Sequence, residues 1–336
     1  MPKMTQKDIA AHFGVSVSTV SKALKDSYEI GAEMRHAIQA YAREHHYQPN
    51  ILAKNLRNKQ TGTIGVVVPN ILNYFFTQVF AGIEKVADAR GFSIVSCISD
   101  ESYDKEVKTM GVLNSGMVDG VIISLAKETQ QKGAFTHIQE VLEGGTPLTM
   151  IDRVENSIVC DKVIVDDFRA GYTATKHFLD KAKKPVALVS TIQGSSVGNL
   201  RLQGYKRALK EVGMPFEAKW VVPVGKDDDL EILLNLLLAN QDLQGIICLD
   251  EISAIETLHI LKRKKRNIPE EIGVIGFTDG RLSKYVSPAL TTVSQHGKYI
   301  GETAAHMLID RIQGKARETY ETRMVETHLV VRESTL

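Results

Sequence analysis

The chain has 336 residues, 43% hydrophobic and 24% charged, an ordinary globular balance in a length that suits two or three domains. No apolar run is long enough to span a bilayer and no apolar core follows the N-terminus, which excludes a membrane span and a signal peptide from the expectation. Net charge is only +1, but residues 1–60 carry nine Lys/Arg against five Asp/Glu, a basic head on a mildly acidic remainder, as expected if the head alone meets phosphates.

Thr5 to Lys25 reads as two short amphipathic helices around Gly14, a residue free to take the positive φ of a tight turn. Ile9 and Phe13 share one side of the first helix, and Val20 and Leu24, with Ala23, share one side of the second. Thr5 and Ser16 stand at N-cap positions. The outer face of the second helix, Val17, Ser18, Ser21, Lys22 and Lys25, contains no acid and suits a DNA groove. A third helix is expected from about Ala32 to His46, with Met34, Ile38 and Tyr41 inward. Pro49 stops it. Residues 50–60, NILAKNLRNKQ, form a short basic segment too small to fold alone, a linker that turns helical only when held.

From Thr63 strands and helices alternate. Strands are expected at 63–69, 92–98, 118–124 and 148–151, with helices at 75–90, 103–116 and 134–143 between them. The pattern restarts with strands at 162–165, 186–190, 245–249 and 273–277 and helices at 168–181, 200–213, 229–239 and 252–266. Two such runs imply two doubly wound lobes with parallel sheets. Ligands in such folds bind beyond the carboxyl ends of strands, which singles out 69–76, 99–101, 152–153, 191–201, 250–251 and 278–280. Cys97, Cys160 and Cys248 lie far apart without C-x-x-C spacing and read as reduced buried thiols of a cytoplasmic protein.

The ordered set DIAAHFGVSVSTVSKAL, YQPNILAKNL, TIGVVVPN, MVDGVIIS, MIDR, RLQGYKRAL, IPEEIGVIGF and PALTTVSQ resembles the lactose-repressor/galactose-repressor family of bacterial transcription regulators. The resemblance covers essentially the whole chain. It implies a small all-α helix-turn-helix head (1–49), a hinge helix and linker (50–61), and a periplasmic-binding-protein-like body (62–336). The body would hold lobe 1 at about 62–161 plus 293–320, and lobe 2 at about 162–292 plus 321–332.

By the same resemblance, Val17–Lys25 is the recognition helix. Val17, Ser18 and Lys22 then face base edges, where lysine can donate to guanine O6/N7 and valine can pack on a thymine methyl. Ser16, Thr19 and Ser21 suit phosphates, and Thr5 starts the helix that crosses the backbone. Asn50, Ala53, Lys54, Leu56 and Arg57 belong to the hinge, with Leu56 as the wedge that unstacks the operator centre. The implied effector, a sugar or sugar derivative, lies between the lobes against Asn73, Phe75, Asp152, Arg153, Arg201, Asp250 and Thr278. Phe75 can stack on a sugar or purine face, and Arg201 offers a fork of donors. Leu249 and Thr278 depart from the family's usual Asn and Asp, which leaves the ligand's identity open.

These readings make the chain an effector-controlled, cytoplasmic DNA-binding repressor, nucleoid-associated when bound. It would be a homodimer on a near-palindromic operator, with no cofactor, metal or catalytic role. The dimer is expected because the sequence stops at Leu336 without a heptad tail. One alternative is a sugar receptor with no DNA role. The other is a serine hydrolase, since Gly194-Ser195-Ser196-Val197-Gly198 matches G-x-S-x-G, with Asp250 or Asp279 and then His296 following in order. Ile192 and Gln193 separate that motif from its strand, which argues against a tight nucleophile elbow. Asp227–Asp229 reads as a helix cap and 262–266 as a solvated helix end.

Overall fold

The computed structural model describes residues 4–47, 60–181, 184–240 and 242–336, and the chain divides between Thr61 and Gly62 into two units. The head is three helices, α1 (Gln6–Phe13), α2 (Val17–Leu24) and α3 (Ala32–Glu44). Thr5 caps α1 in a capping box with Asp8, a reciprocal arrangement that satisfies two orphan N–H groups. Gly14 ends α1 at φ 65, the left-handed conformation that turns the chain into α2. Ile9, Ala10, Val20, Ala23, Ile38 and Ala42 form the buried centre. Met34, expected inside, is 39% exposed, because the core is closed by Ile38 and Ala42 one and two turns further along.

In the body, the continuous apolar run at Thr63–Val68 forms β1, with every residue after the first buried, as a strand covered on both faces must be. There follow α4 (Tyr74–Ala89), β2 (Ser93–Ile98), α5 (Tyr103–Leu113), β3 (Gly120–Ile123), α6 (Lys127–Lys132), α7 (Thr136–Glu143), β4 (Leu148–Ile151) and β5 (Asp161–Val165). The second run is α8 (Asp167–Leu179), β6 (Val186–Ser190), α9 (Ser196–Glu211), β7 (Val221–Pro223), α10 (Leu230–Asn240), β8 (Gly245–Cys248), α11 (Glu251–Arg263), β9 (Gly273–Phe277), α12 (Arg281–Tyr285) and β10 (Thr291–Ser294). The chain ends with α13 (Gly297–Ile312), β11 (Thr322–Val325) and β12 (His328–Val330).

Lobe 1 holds a parallel sheet in the order β11-β5-β4-β3-β1-β2, and lobe 2 a sheet in the order β12-β10-β9-β8-β6-β7, antiparallel only where β12 meets β10. Each order reverses direction at one point, between β1 and β3 and between β6 and β8, and such switch points open the ligand crevice. The lobe boundaries inferred from sequence need correction. The strand at 162–165 pairs with β4 in lobe 1, and residues 322–325 pair with β5 there as well. Asp161 fixes that corner by accepting from Arg311 Nε at 2.6 Å and from the Glu321 amide at 2.9 Å. The chain therefore crosses between lobes near residues 166, 296 and 327. At two of these crossings His296 and His328 share a 2.9 Å hydrogen bond.

Both lobes close their helical layer with a glycine contact. Gly82 and Gly301 let α4 and α13 touch backbone to backbone, and Gly171 and Gly204 do the same for α8 and α9. Helix α9 begins at Ser196, four residues earlier than the pattern indicates, because Ser195 caps it by accepting from Gly198 N at 3.2 Å. Asp229 caps α10 through the amides of Glu231 and Ile232. Cys97, Cys160 and Cys248 are unpaired thiols. Among the described residues no helix is long and apolar enough to cross a membrane.

Candidate nucleic-acid interface and interlobe cleft

Helix α2 packs by Val20 and Ala23 and leaves Ser16, Val17, Ser18 and Lys22 exposed, with Thr19 and Ser21 half-buried. Ser16 Oγ receives the Thr19 amide at 3.1 Å and lies 2.7 Å from Ser18 Oγ and 2.8 Å from Thr19 Oγ1. These hydroxyls form one cluster at the positive end of the helix, where anions are favoured. Thr5, also exposed, is held by the Asp8 carboxylate. One residue of this face was not singled out from sequence: Glu29 pairs with Lys22, so the exposed face of α2 does meet an acid, brought in by the turn after the helix. Asn50, Ala53, Lys54, Leu56 and Arg57 lie outside the described residues.

In the body, the strand ends of the two lobes bring charged groups together. Asp152 and Arg153 follow β4, and both are buried. Arg153 pairs with Glu101 at 2.5 Å, while its Nε lacks a hydrogen-bond partner. Asp152 receives only a long 3.4 Å bond from Ser124. Desolvation pushes its carboxyl up to about 6, against the pull of Arg153 and Arg201. From lobe 2, Arg201 on α9 is 3% exposed. Its Nε and Nη2 both donate to Asp167 Oδ1 at 2.8 Å, and Nη1 donates to Leu249 O at 2.9 Å. Its guanidinium also lies 4.2 Å from the Phe277 ring centroid. Burial raises the Asp167 carboxyl, with Arg201 opposing. Asp167, Glu101 and Ser124 were not among the residues singled out from sequence.

Other expectations are adjusted by the geometry. Phe75 is 4% exposed and belongs to the lobe 1 core, packed edge-on to Phe76, so it offers no stacking face. Asn73 caps α4 by accepting from Phe75 N. The fork of Arg201 is mostly engaged within its own lobe. Asp250 caps α11 and accepts from Thr191 Oγ1 at 2.8 Å and Ser253 Oγ at 2.6 Å. Thr278 donates to Gln295 at 2.9 Å. Glu101, Asp152 and Thr278 hold positive φ without being glycine, strain that costs roughly 1 kcal/mol or more each and concentrates at ligand sites. The lobes are also tied directly: Gln130 of α6 donates to Ser196 Oγ at 2.9 Å and accepts from Ser196 N at 3.0 Å.

The raised Asp152 carboxyl has a measurable consequence. Its stability contribution is fully present below the solvated value of 3.8 and is lost as pH rises through about 6, since the charged form is the one burial penalises. Asp152→Asn is expected to raise unfolding free energy at pH 7.5 by up to about 3 kcal/mol. That gain should shrink as pH falls from 6.5 toward 4, as read by urea denaturation; a gain independent of pH would refute the assignment.

A head with a capped, exposed polar helix and a two-lobed body with buried charge at its strand ends define a DNA-binding regulator with a ligand-binding domain. Residues 5–50 match the model of bacterial regulatory proteins of the lacI family, and residues 175–335 match a periplasmic binding protein-like domain. The chain is 28% identical to the HTH-type transcriptional repressor PurR of Vibrio vulnificus (strain CMCP6), over 98% of each chain. A LacI family transcriptional regulator from Enterococcus faecium with bound ribose superposes with a TM-score of 0.72 at 28% identity, covering 81% of this chain and 98% of that one. The Lac repressor dimer bound to operator and the anti-inducer ONPF gives a TM-score of 0.82 at 21% identity over both whole chains, a likeness of fold. The chain's head is that of the lacI family of bacterial regulatory proteins, joined in one chain to a periplasmic-binding-protein-like domain. It is a DNA-binding transcription regulator with an effector-binding body.

Proposed function

We propose that this regulator is a cytoplasmic homodimeric repressor whose grip on a near-palindromic operator is set by a carbohydrate held between its lobes. The observation that carries the effector reading is the buried set Asp152, Arg153, Asp167 and Arg201, contributed by both lobes at their strand ends. Asp152, with one long donor, and Arg153, whose Nε is unpartnered, suit a ligand rich in hydroxyls, with the Asp167–Arg201 pair beside them. The ribose bound by the Enterococcus faecium relative supports the ligand class. A hydrophobic Leu249 and a Thr278 already engaged with Gln295 leave fewer partners on the lobe 2 side than on the lobe 1 side.

On the DNA side, Val17, Ser18 and Lys22 read bases while Thr5, Ser16, Thr19 and Ser21 hold phosphates. An eight-residue recognition helix touches few base pairs, so paired heads on a two-fold site supply the length of sequence a specific operator needs. Sedimentation equilibrium should give two chains per particle, and four would contradict the dimer. The hinge residues Asn50, Ala53, Lys54, Leu56 and Arg57 meet the minor groove of the operator. Leu56→Ala is expected to weaken operator binding about tenfold or more while leaving non-specific binding within twofold; equal losses would remove the wedge.

Catalysis is not part of this reading. Ser196 is engaged by Gln130, Asp250 by Thr191 and Ser253, Asp279 by Arg332, and His296 by His328, so the candidate hydrolase groups each serve a different neighbour. A thermal-shift screen of sugars, sugar phosphates and nucleobases, joined to mobility shift on DNA fragments, tests the proposal. A stabilising sugar and salt-sensitive DNA retention are expected. A stabilising sugar without retention would favour the receptor reading.

A further inference from the structure

Lys22 does not stand alone on the reading face. Glu29, beyond the end of α2, sets its carboxylate against the Lys22 ammonium, with both side chains 50% exposed. Such a pair adds little to stability, so its significance lies in what it presents to a ligand. The turn that carries Glu29 is fastened from inside. Arg35 donates to the carbonyls of Ser27 at 3.3 Å and Ile30 at 3.4 Å and pairs with Asp26 at 2.9 Å. Gln39 donates to Ala23 O at 2.9 Å and to Asp26 Oδ1 at 3.3 Å. The Glu29 amide itself donates to Ser27 Oγ at 3.4 Å. The carboxylate is therefore mounted on a fixed turn, beside a fixed helix.

A donor and an acceptor held at hydrogen-bonding distance complement one feature of the major groove. On the edge of a G·C pair, guanine O6 and cytosine N4 are an acceptor and a donor about 3 Å apart. We infer that Glu29 is a sequence-determining residue of the head: Lys22 donates to guanine O6 and N7 while Glu29 accepts from the N4 amino group of the paired cytosine. The inference rests on α2 being the recognition helix and deepens that reading. A T·A pair offers O4 and N6 in similar places, but it denies lysine the second acceptor and puts the thymine methyl beside it. Facing phosphates instead, the carboxylate would only repel, and would do so on every sequence alike.

The test is selection of bound DNA from a library of randomised half-sites by the full chain and by Glu29→Ala, Glu29→Gln and Lys22→Ala. The wild-type chain should prefer G·C at one position of each half-site by about tenfold. Glu29→Ala should lose most of that preference and keep those at the other positions, with Glu29→Gln intermediate because its amide oxygen still accepts. In a selected duplex whose cytosine is replaced by the analogue lacking the N4 amino group, the wild-type chain should lose about tenfold in affinity and Glu29→Ala almost nothing. If Glu29→Ala selects the wild-type sequences and binds all of them more tightly by one common factor, Glu29 acts by charge alone and the inference is wrong. If Lys22→Ala changes no base preference, the reading of α2 itself fails, separately from the role of Glu29.

Discussion

Asp167→Ala is expected to destabilise the body by about 3–5 kcal/mol, because it leaves the Arg201 guanidinium buried without its counter-charge. Arg201 is 3% exposed and gives two of its N–H groups to one Asp167 oxygen, so both bonds and the counter-charge go with that side chain. In a thermal melt this corresponds to a fall on the order of 10 °C. Asp167→Asn keeps an acceptor but loses the charge assistance, and should cost roughly 1–2 kcal/mol. The paired replacement Asp167→Leu with Arg201→Met should recover most of the stability, since removing both charges also removes their desolvation cost. It should still abolish the response to effector. A double variant as unstable as Asp167→Ala would mean that the pair holds the fold and has no share in the cleft.

Gly204→Ala tests a different part of the architecture. An added methyl would lie 2.0 Å from the Phe168 carbonyl oxygen and 2.6 Å from the Tyr172 nitrogen, and at Gly301 the matching contact is 2.0 Å from the Val79 oxygen. Both obstacles are backbone, so relief requires the helices to separate. Inserted methyl groups commonly cost about 1–3 kcal/mol; here about 3 kcal/mol or more is expected, with a melting fall on the order of 10 °C. Gly204→Ala should disturb lobe 2 and Gly301→Ala lobe 1, distinguishable by hydrogen exchange of β6 and β1. A loss below 1 kcal/mol in both would show that these helix crossings tolerate separation.

The β-α alternation was legible because strands covered on both faces, such as Ile64–Val68, are apolar runs, and the helices between them carry a periodic stripe. The lobe membership of β5 and β11 was not legible. It depends on Asp161 meeting Arg311 and Glu321, more than 140 residues away in sequence, and no local pattern records that. The loops at the strand ends were legible from the alternation itself, and the rule that ligands gather there makes them the candidate site. Which side chains in them are free was not: Phe75 turns into the lobe 1 core, and Arg201 is bound by Asp167 on the neighbouring helix. The acid beside the exposed face of α2 was hidden for the same reason, since Glu29 reaches Lys22 only after the turn folds back.

Helix α2 and the interlobe cleft matter together only if occupancy of one changes the other. Effector binding must favour one arrangement of the lobes, and the Gln130–Ser196 tie and the three crossings are the parts that such a change would strain. Coupling of this kind is reciprocal: the factor by which effector alters operator affinity equals the factor by which operator alters effector affinity. The direct measurement is the Kd for operator with and without a saturating stabilising sugar, and the Kd for that sugar with and without operator, at one salt concentration. The two ratios are expected to agree and to lie between about 5 and 150. Ratios of one for both, with each ligand binding tightly, would show that the cleft does not control the head.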